Sequence, residues 1–436
     1  MSSVEIGLWS FPVLILLIFL RVPIAAAMLG TGVIGTYLVL GKWTPILSQL
    51  KALPWSTNAN YSLSIIPLFL LMGQFAARGG MSQALFNAAA AFLGHRKGGV
   101  AMAAVGACAG FGSICGSSLA TAATMAQVAL PELKRNGYAG GLATATLAAG
   151  GTLGILIPPS VVLVIYAILA EQNIAKLFLA AFVPGLIAAI SYLVVIAIYV
   201  RLKPESAGQA KRIPWAERVP ALIAVWPVVA IFFLVVGGIY LGWFTPTQAA
   251  AIGATGAGLV AWQAGGLKKE ALFECFKETA VSTGMIFFIV LGASVFNSFL
   301  AFSRLPQLGA EWVTAQGYAP MTVLIIILAL YVVFGCIMDS LSMIILTIPI
   351  FFPIVTAMDF GLSPEHFAIW FGILVLMVAE IGMITPPVGL NLFIISAMSR
   401  DVPMRETYKG IVPFVTADLL RIILLTAFPI ISIFLV

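Results

Sequence analysis

Long apolar runs, separated by short polar loops, dominate the chain. Each run has about twenty residues, the length of helix that crosses roughly 30 Å of hydrocarbon. This pattern predicts an all-α polytopic membrane protein. The runs lie at about residues 4–20, 22–40, 63–77, 139–170 and 177–200 in the first half, and at 221–241, 246–264, 281–301, 366–398 and 411–436 in the second.

Two further apolar segments, at about 98–133 and 320–359, are interrupted in the middle by small and polar residues. Basic residues at 95–97 and 134–135 flank the first segment, and Lys and Arg collect in cytoplasmic loops. Both of its ends are therefore expected on the cytoplasmic side, which makes it a re-entrant hairpin. If the chain continues to alternate between the two sides of the membrane, the second segment is a hairpin that enters from the outside, where acidic residues flank it.

The two halves of the chain match each other in register, which predicts an internal duplication. Each half has five predicted crossings and one hairpin. Because five is odd, the second copy is inverted relative to the first, as in many secondary transporters. We expect repeat 1 at 1–200, a basic cytoplasmic linker at 201–219 and repeat 2 at 220–436. The matched pairs include Pro23 with Pro246, Gly112 with Gly335, Ser117 with Ser340, Gly154 with Gly382, and Pro158-Pro159 with Pro386-Pro387.

Four segments are predicted to be broken helices that meet near the middle of the membrane. They are the hairpin tips at 112–118 and 335–342 and the interrupted crossings at 150–160 and 380–389. Each proline pair is expected to begin a half-helix after an unwound stretch, because proline lacks an N–H and favours the first helical turn. Unpaired backbone in hydrocarbon costs several kcal/mol per group, so such breaks persist only where something satisfies the peptide.

These breaks carry the candidate chemistry. Carbonyl groups at helix ends, with hydroxyl and carboxylate oxygens, suit a small hard cation such as Na⁺, whereas helix N-termini suit a carboxylate ligand. Asp339 is the only carboxylate at a hairpin tip, and it could alternatively cap its own helix. Hydroxyl groups occur at Ser117, Ser118, Thr152, Ser340, Ser342 and Thr385.

Four other ionisable residues allow two interpretations each. Glu380 either belongs to the site or pairs with a scaffold group. Asp418 and Arg421 lie three residues apart in the last helix, where a structural pair is favoured over a site. Arg304 either attracts an anion or reaches the membrane interface as a snorkelling side chain, which is the favoured interpretation.

The composition excludes several classes of protein. Hydrophobic residues make up 61% and charged residues only 9%, whereas a soluble globular chain carries roughly 25% charged residues. Soluble enzymes, nucleic-acid binders and disordered proteins are thus poor interpretations, and cytoplasmic loops account for the net charge of +6. No P-loop, H-E-x-x-H or G-x-S-x-G motif occurs. We expect neither enzymatic activity nor an organic cofactor or transition metal.

Nearly the whole chain resembles the large membrane subunit of tripartite ATP-independent periplasmic (TRAP) transporters. The resemblance implies an elevator-type carrier in the bacterial inner membrane that imports an organic anion with Na⁺. The anion would be a carboxylate such as a C4-dicarboxylate, sialic acid or another sugar acid. The implied partners are a separate small four-helix membrane subunit and a periplasmic substrate-binding protein. The most specific stretches are Gly112–Ala120 with Pro131–Tyr138, Gly154–Ser160 with Tyr166, and Asp339 with Glu380–Asn391.

The resemblance also implies where two or more Na⁺ ions and the substrate bind. One Na⁺ site should involve Gly116, Ser117 and Ser118 with Gly150, Gly151 and Thr152. A second Na⁺ site should involve Asp339, Ser340 and Ser342 with Gly382 and Thr385. The substrate should lie near Ser117, Ser160 and Asp339.

Two alternative functions remain open. One is a self-sufficient Na⁺-coupled carrier that works without a binding protein. The other is a passive channel, which is disfavoured because two hairpins that meet at mid-membrane block a continuous pore.

Overall fold

The computed structural model describes residues 1–436, and every regular element in it is helical, which confirms the all-α prediction. The helices of the first half are α1 (Ser3–Phe19), α2 (Ile24–Leu40), α3 (Thr44–Asn58), α4 (Ile65–Arg78), α5 (Met81–Leu93), α6 (Gly99–Cys115), α7 (Ser118–Arg135), α8 (Gly140–Leu156), α9 (Val161–Leu169) and α10 (Ile174–Leu202).

The second half repeats the order of a two-helix hairpin followed by a broken helix. Its helices are α11 (Trp215–Ile223), α12 (Trp226–Phe232), α13 (Gly238–Tyr240), α14 (Pro246–Gln263), α15 (Lys269–Ser303), α16 (Leu305–Ala315), α17 (Pro320–Gly335), α18 (Ser340–Thr356), α19 (Pro364–Ile384), α20 (Leu390–Met398), α21 (Met404–Ala427) and α22 (Ile430–Ile433). A π-helical stretch, Phe233–Gly237, joins α12 to α13.

All ten predicted crossings are helical, but they differ in length and polarity. Six helices are long and apolar enough to cross a membrane, and a seventh is added when α8 and α9, bent by 46°, count as one span. The helices α1 and α2 have only 17 residues each. The helix α14 has 18 residues but is rich in Ala, Gly and polar side chains. The number of membrane crossings therefore stays a prediction.

Surface contacts show which loops share an end of the bundle. Lys134, near the end of α7, lies 2.5 Å from a carboxylate oxygen of Asp401, which precedes α21. The linker joins the same end, because the Ala139 N–H donates to the Ser206 carbonyl at 2.9 Å. At the opposite end, Lys176 at the start of α10 lies 2.5 Å from Glu365 at the start of α19.

The two hairpins enter the bundle from opposite ends. Both ends of the α6–α7 hairpin lie at the end marked by Lys134. The α17–α18 hairpin leads directly into α19, whose start lies at the end marked by Lys176 and Glu365. This is the arrangement expected of inverted repeats. The repeat boundaries and the side that faces the cytoplasm stay predictions.

The helices pack in two groups. Helices α1 to α4 pack against α14 and α15, and we call these the outer group. Helices α6 to α10 pack among α17 to α21, and we call these the inner group, which contains both hairpins and both broken helices. Contacts of α4 with α6 and of α15 with α18 join the two groups.

Glycine-on-glycine contacts hold each hairpin against its broken helix. A Cβ added to Gly112 of α6 would lie 2.5 Å from the Gly154 Cα, and one added to Gly382 of α19 would lie 2.5 Å from the Gly335 Cα. These two contacts join residue pairs that the repeat register relates. Because backbone meets backbone at both places, any side chain there would force the helices apart.

The breaks in α8–α9 and α19–α20 are shorter than predicted. We expected unwinding from Gly150, but α8 stays regular to Leu156, because its glycines serve close packing instead of ending the helix. Both proline pairs lie inside the breaks, at 157–160 and 385–389, and their Pro-Pro peptide bonds are cis. The prediction that the proline pairs begin the half-helices is wrong. The helix α9 starts at Val161, two residues after the second proline of its pair, and α20 starts at Leu390, three residues after the second proline of its pair.

The glycine contacts predict a position-specific effect of an added methyl group. Gly112→Ala should lower the thermal unfolding temperature of the purified protein, because overpacking of this kind costs about 1–3 kcal/mol. Gly106→Ala on the same helix is the matched control, since a Cβ there meets nothing within 4 Å. Equal unfolding temperatures for the two variants would contradict the packing account.

Candidate functional site

A cavity of about 290 Å³ lies between the two hairpin tips, at the boundary of the two helix groups. The tips contribute Ser117 and Ser118 from one hairpin and Asp339 and Ser340 from the other. The outer group closes the opposite wall with apolar side chains and one hydroxyl group. Its lining residues there are Leu70, Ser282, Met285 and Ile286.

The first tip is shaped by a left-handed residue followed by a helix cap. Gly116 ends α6 at φ 65°, a conformation that costs glycine little, and its N–H donates to the Gly112 carbonyl. Ser117 then begins α7 as its N-cap, and its hydroxyl accepts from the Ala120 N–H at 3.4 Å. The chain therefore reverses within two residues and turns the Ser118 side chain inward.

At the second tip, a carboxylate instead of a hydroxyl group caps the helix. Asp339 is the N-cap of α18, and its Oδ2 accepts from the Ser342 N–H at 3.1 Å. Both interpretations of Asp339 thus agree with its position, because it caps its own helix and also lines the cavity. Ser342 is buried and does not line the cavity.

Glu380 of α19 joins the two tips from behind the cavity. One carboxylate oxygen accepts from the Ser118 hydroxyl, and the other accepts from the Ser340 hydroxyl at 2.6 Å. Only 1% of this side chain is exposed. Ser118 and Ser340 are the first helical residues of α7 and α18, so one carboxylate faces the positive ends of two helices.

The residues 150–152 lie farther from the first tip than predicted. Gly150 packs on Cys108 of α6 and Gly151 on Ala122 of α7, along the legs of the hairpin. The Thr152 hydroxyl lies 2.7 Å from the Ala149 carbonyl and 3.0 Å from the Tyr192 hydroxyl of α10. Residues two apart point to nearly opposite faces of a helix. The residue of α8 that meets the tip is Gly154, where an added Cβ would lie 2.9 Å from the Ser117 carbonyl oxygen.

The other predicted site residues lie at the breaks but do not line the cavity. Ser160 is fully buried and caps α9, accepting from the Leu163 N–H at 3.4 Å. Gly382 packs on Gly335 of the second hairpin. Thr385 ends α19, and its hydroxyl donates to the Ile381 carbonyl at 2.6 Å. Of the three predicted substrate ligands, the cavity therefore contains Ser117 and Asp339 and lacks Ser160.

The cavity is negatively charged. Asp339 is the only charged side chain in its lining, and no Lys or Arg lines it. Glu380 lies directly behind the lining serines and takes part in none of the ion pairs of the chain. Two carboxylates thus face this region without a basic partner, which is costly in a dry interior unless a cation or proton compensates.

Asp418 and Arg421 form a buried ion pair, as the favoured interpretation predicted. Their closest atoms, Oδ1 and Nη2, lie 2.7 Å apart, although the contact is not aligned as a hydrogen bond. Tyr192 donates to the other Asp418 oxygen at 2.8 Å, and Arg421 donates to the Ser191 hydroxyl at 3.3 Å. Arg304 is exposed at the end of α15 and lies outside the cavity.

The role of Glu380 could not be predicted from local sequence. An acidic residue inside an apolar run marked it as unusual, and the sequence left its partner open. Its partners lie 262 and 40 residues away in the chain, on different hairpins. Only the folding of both repeats against each other brings these three side chains together.

Comparison with known proteins identifies relatives along nearly the full length. Residues 11–431 match the family described as the tripartite ATP-independent periplasmic transporter, DctM component. A C4-dicarboxylate TRAP transporter large permease protein of Pseudomonas aeruginosa is 38% identical over 382 residues, 87% of each chain. The sialic acid TRAP transporter large permease protein of Vibrio cholerae is 29% identical over 373 residues, 85% of each chain.

The fold is also similar to that of a solved structure. The YdaH transporter of Alcanivorax borkumensis matches with a TM-score of 0.64 over 88% of this chain and 89% of that one. Its sequence identity is 16%, so the likeness concerns the fold alone.

The Asp418–Arg421 pair predicts strongly non-additive effects. Asp418→Leu leaves Arg421 buried without a counter-charge, which costs about 3–5 kcal/mol, and should abolish most folded protein. Asp418→Leu combined with Arg421→Met removes both charges and should restore folded protein, as judged by size-exclusion chromatography in detergent. A double variant no better folded than the single one would show that the pair itself is required.

Proposed function

Since this chain belongs to the DctM-component family of tripartite ATP-independent periplasmic (TRAP) transporters, we propose that it imports an organic anion driven by Na⁺. It is a transport subunit of a tripartite membrane system and not an enzyme. The substrate we propose is a carboxylate, such as a C4-dicarboxylate, sialic acid or another sugar acid. We place the chain in the bacterial inner membrane.

The charge of the cavity is the observation that carries this proposal. The lining contains Asp339 and no basic side chain, and Glu380 lies directly behind it. An organic anion that entered would meet like charge in a medium of low dielectric constant, where repulsion is strong. Cations must therefore enter with the anion, and a carrier that binds both moves them together.

The residues at the tips suit Na⁺ as that cation. The polar groups available are hydroxyl and carboxylate oxygens from Ser117, Ser118, Asp339 and Ser340, with backbone carbonyls at the ends of the broken helices. Oxygen donors of this kind suit hard cations. No group of three or more His, Cys, Asp or Glu side chains is placed to hold a metal ion. Two tips of similar construction support two or more Na⁺ ions.

The two helix groups support an elevator mechanism. Both hairpins and both broken helices belong to the inner group, while the cavity wall formed by Leu70, Met285 and Ile286 belongs to the outer group. Sliding of the inner group against the outer one would carry the cavity across the membrane without opening a continuous pore. The passive channel is disfavoured for this reason.

The proposed partners follow from the family. A small four-helix membrane subunit on a separate chain would pack against this chain in the lipid bilayer, and a periplasmic binding protein would deliver the anion. The self-sufficient carrier is the alternative, and it requires no binding protein.

Uptake into proteoliposomes that contain this chain and the small subunit tests the proposed function. A panel of radiolabelled carboxylates is measured with and without an inward Na⁺ gradient, and with and without the binding protein. We expect uptake only when both are present. Uptake that needs the gradient alone would favour the self-sufficient carrier, and uptake that needs neither would favour a channel.

Asp339→Asn should raise the Na⁺ concentration for half-maximal uptake several-fold while leaving protein abundance nearly unchanged. Asparagine caps helices as well as aspartate, so the substitution removes the charge and keeps the cap. Asp359→Asn is the matched control, because Asp359 is exposed just beyond the other end of the same hairpin and accepts from the Gly361 N–H. Equal losses of abundance and uptake would mean that Asp339 serves only the fold.

A covalent cross-link between the two helix groups should prevent the inner group from sliding against the outer group. Met285→Cys and Leu341→Cys place thiols on the two groups across the cavity, in a background without the four native cysteines. Oxidative cross-linking should abolish uptake, and reduction should restore it. Single-cysteine variants are the controls, and full uptake by the cross-linked protein would rule out sliding at this boundary.

A further inference from the structure

We propose that Glu380 is a positioning residue that keeps the hydroxyl oxygens of Ser118 and Ser340 free to bind coupling cations. The inference rests on the Na⁺ coupling proposed above and adds a specific role for a residue that does not line the cavity. Glu380 acts through the two serines, which do line it.

The geometry places a single carboxylate between two tips from different halves of the chain. Each of its oxygens accepts from one serine hydroxyl, with Ser340 at 2.6 Å. Because Ser118 opens α7 and Ser340 opens α18, the carboxylate also faces two helix N-termini. Both serine hydroxyls donate to this carboxylate, and hydrogen bonds to a carboxylate are among the strong ones in proteins.

An ionised carboxylate dictates which way both hydroxyl groups point. It can only accept hydrogen bonds, and a serine hydroxyl has a single proton. Ser118 and Ser340 must therefore both donate toward Glu380, so that only lone pairs remain for the cavity side. A cation approaching from the cavity then meets oxygen lone pairs at both tips and no hydroxyl proton.

The absence of a basic partner strengthens this assignment. The other buried carboxylate of the inner group, Asp418, is paired with Arg421 at 2.7 Å. Glu380 is 1% exposed and belongs to no ion pair. No basic side chain offsets the charge of this carboxylate, and a cation bound by the adjacent serines would do so.

The substitution Glu380→Gln removes the negative charge and changes the directions of the serine hydroxyls while it keeps the size of the side chain. Glutamine has the same size but offers one acceptor oxygen and an NH₂ donor group. One serine must then accept from the amide, which consumes a lone pair and turns its proton toward the cavity. Loss of one such interaction should raise the Na⁺ concentration for half-maximal effect roughly tenfold.

The experiment measures the thermal unfolding temperature of the purified full chain in detergent as NaCl replaces choline chloride at constant ionic strength. Ligand binding to the folded state raises that temperature, so the titration reports Na⁺ affinity without transport. Glu365→Gln is the matched control, since it makes the same chemical change on the same helix at an exposed pair with Lys176. The control should change the half-maximal Na⁺ concentration by less than about twofold.

The response of the parent chain tests the Na⁺ coupling, and the response of the variant tests the role of Glu380. If the parent chain shows no Na⁺ response, the proposed Na⁺ coupling fails. If the parent responds and Glu380→Gln responds equally, the inference on Glu380 is overturned, and the same holds if the variant is only less stable in choline. Should Glu380→Gln not fold, Ser340→Thr and Ser340→Ala replace it, because only threonine keeps the hydroxyl. A full Na⁺ response from Ser340→Ala would then overturn the inference.

Discussion

Interrupted backbone at membrane depth is the constraint on which the rest of this structure depends. Such backbone survives only where protein surrounds it, and here that requires each hairpin to lie directly on a broken helix. Gly112 against Gly154 and Gly335 against Gly382 provide this approach, with no side chain between the backbones. The two tips then face each other at the centre of the bundle. The cavity between them is a consequence of this packing.

The close approach of the tips also concentrates negative charge. Asp339 lines the cavity and Glu380 lies behind it, while the buried arginine of α21, Arg421, already pairs with Asp418. A site of this kind is poor for an anion alone and good for an anion that arrives with cations. The Na⁺ coupling that we propose would offset this repulsion, and ordering of both tips by one ligand would lower the cost of binding the next.

The sequence predicted the architecture well because its signals are local and repeated. Apolar runs predicted the helices, flanking charges predicted the hairpins, and matched glycine and proline positions predicted the duplication. Two details were missed for physical reasons. Glycines at 150–151 suggest a break, yet they permit close packing within a regular helix. The prolines were expected at helix starts, but Ser160 caps α9 after them.

Contacts between distant segments could not be predicted from sequence. Nothing near Glu380 in the chain indicates that Ser118 is its partner, because the contact joins different repeats. The Thr152 hydroxyl likewise meets Tyr192 on a helix that follows the broken one, which turns it away from the first tip. Residue type therefore identified the segments that matter, while the packing decided which side chains face the cavity.

Equilibrium binding of a transported carboxylate to the purified chain, in NaCl and in choline chloride, tests the central claim most directly. The account predicts that the anion binds tightly only with Na⁺, and that saturating anion raises the Na⁺ affinity by the same factor. Equal anion affinity in the two salts would contradict it, because the cavity would then compensate the anion's charge without a coupling cation.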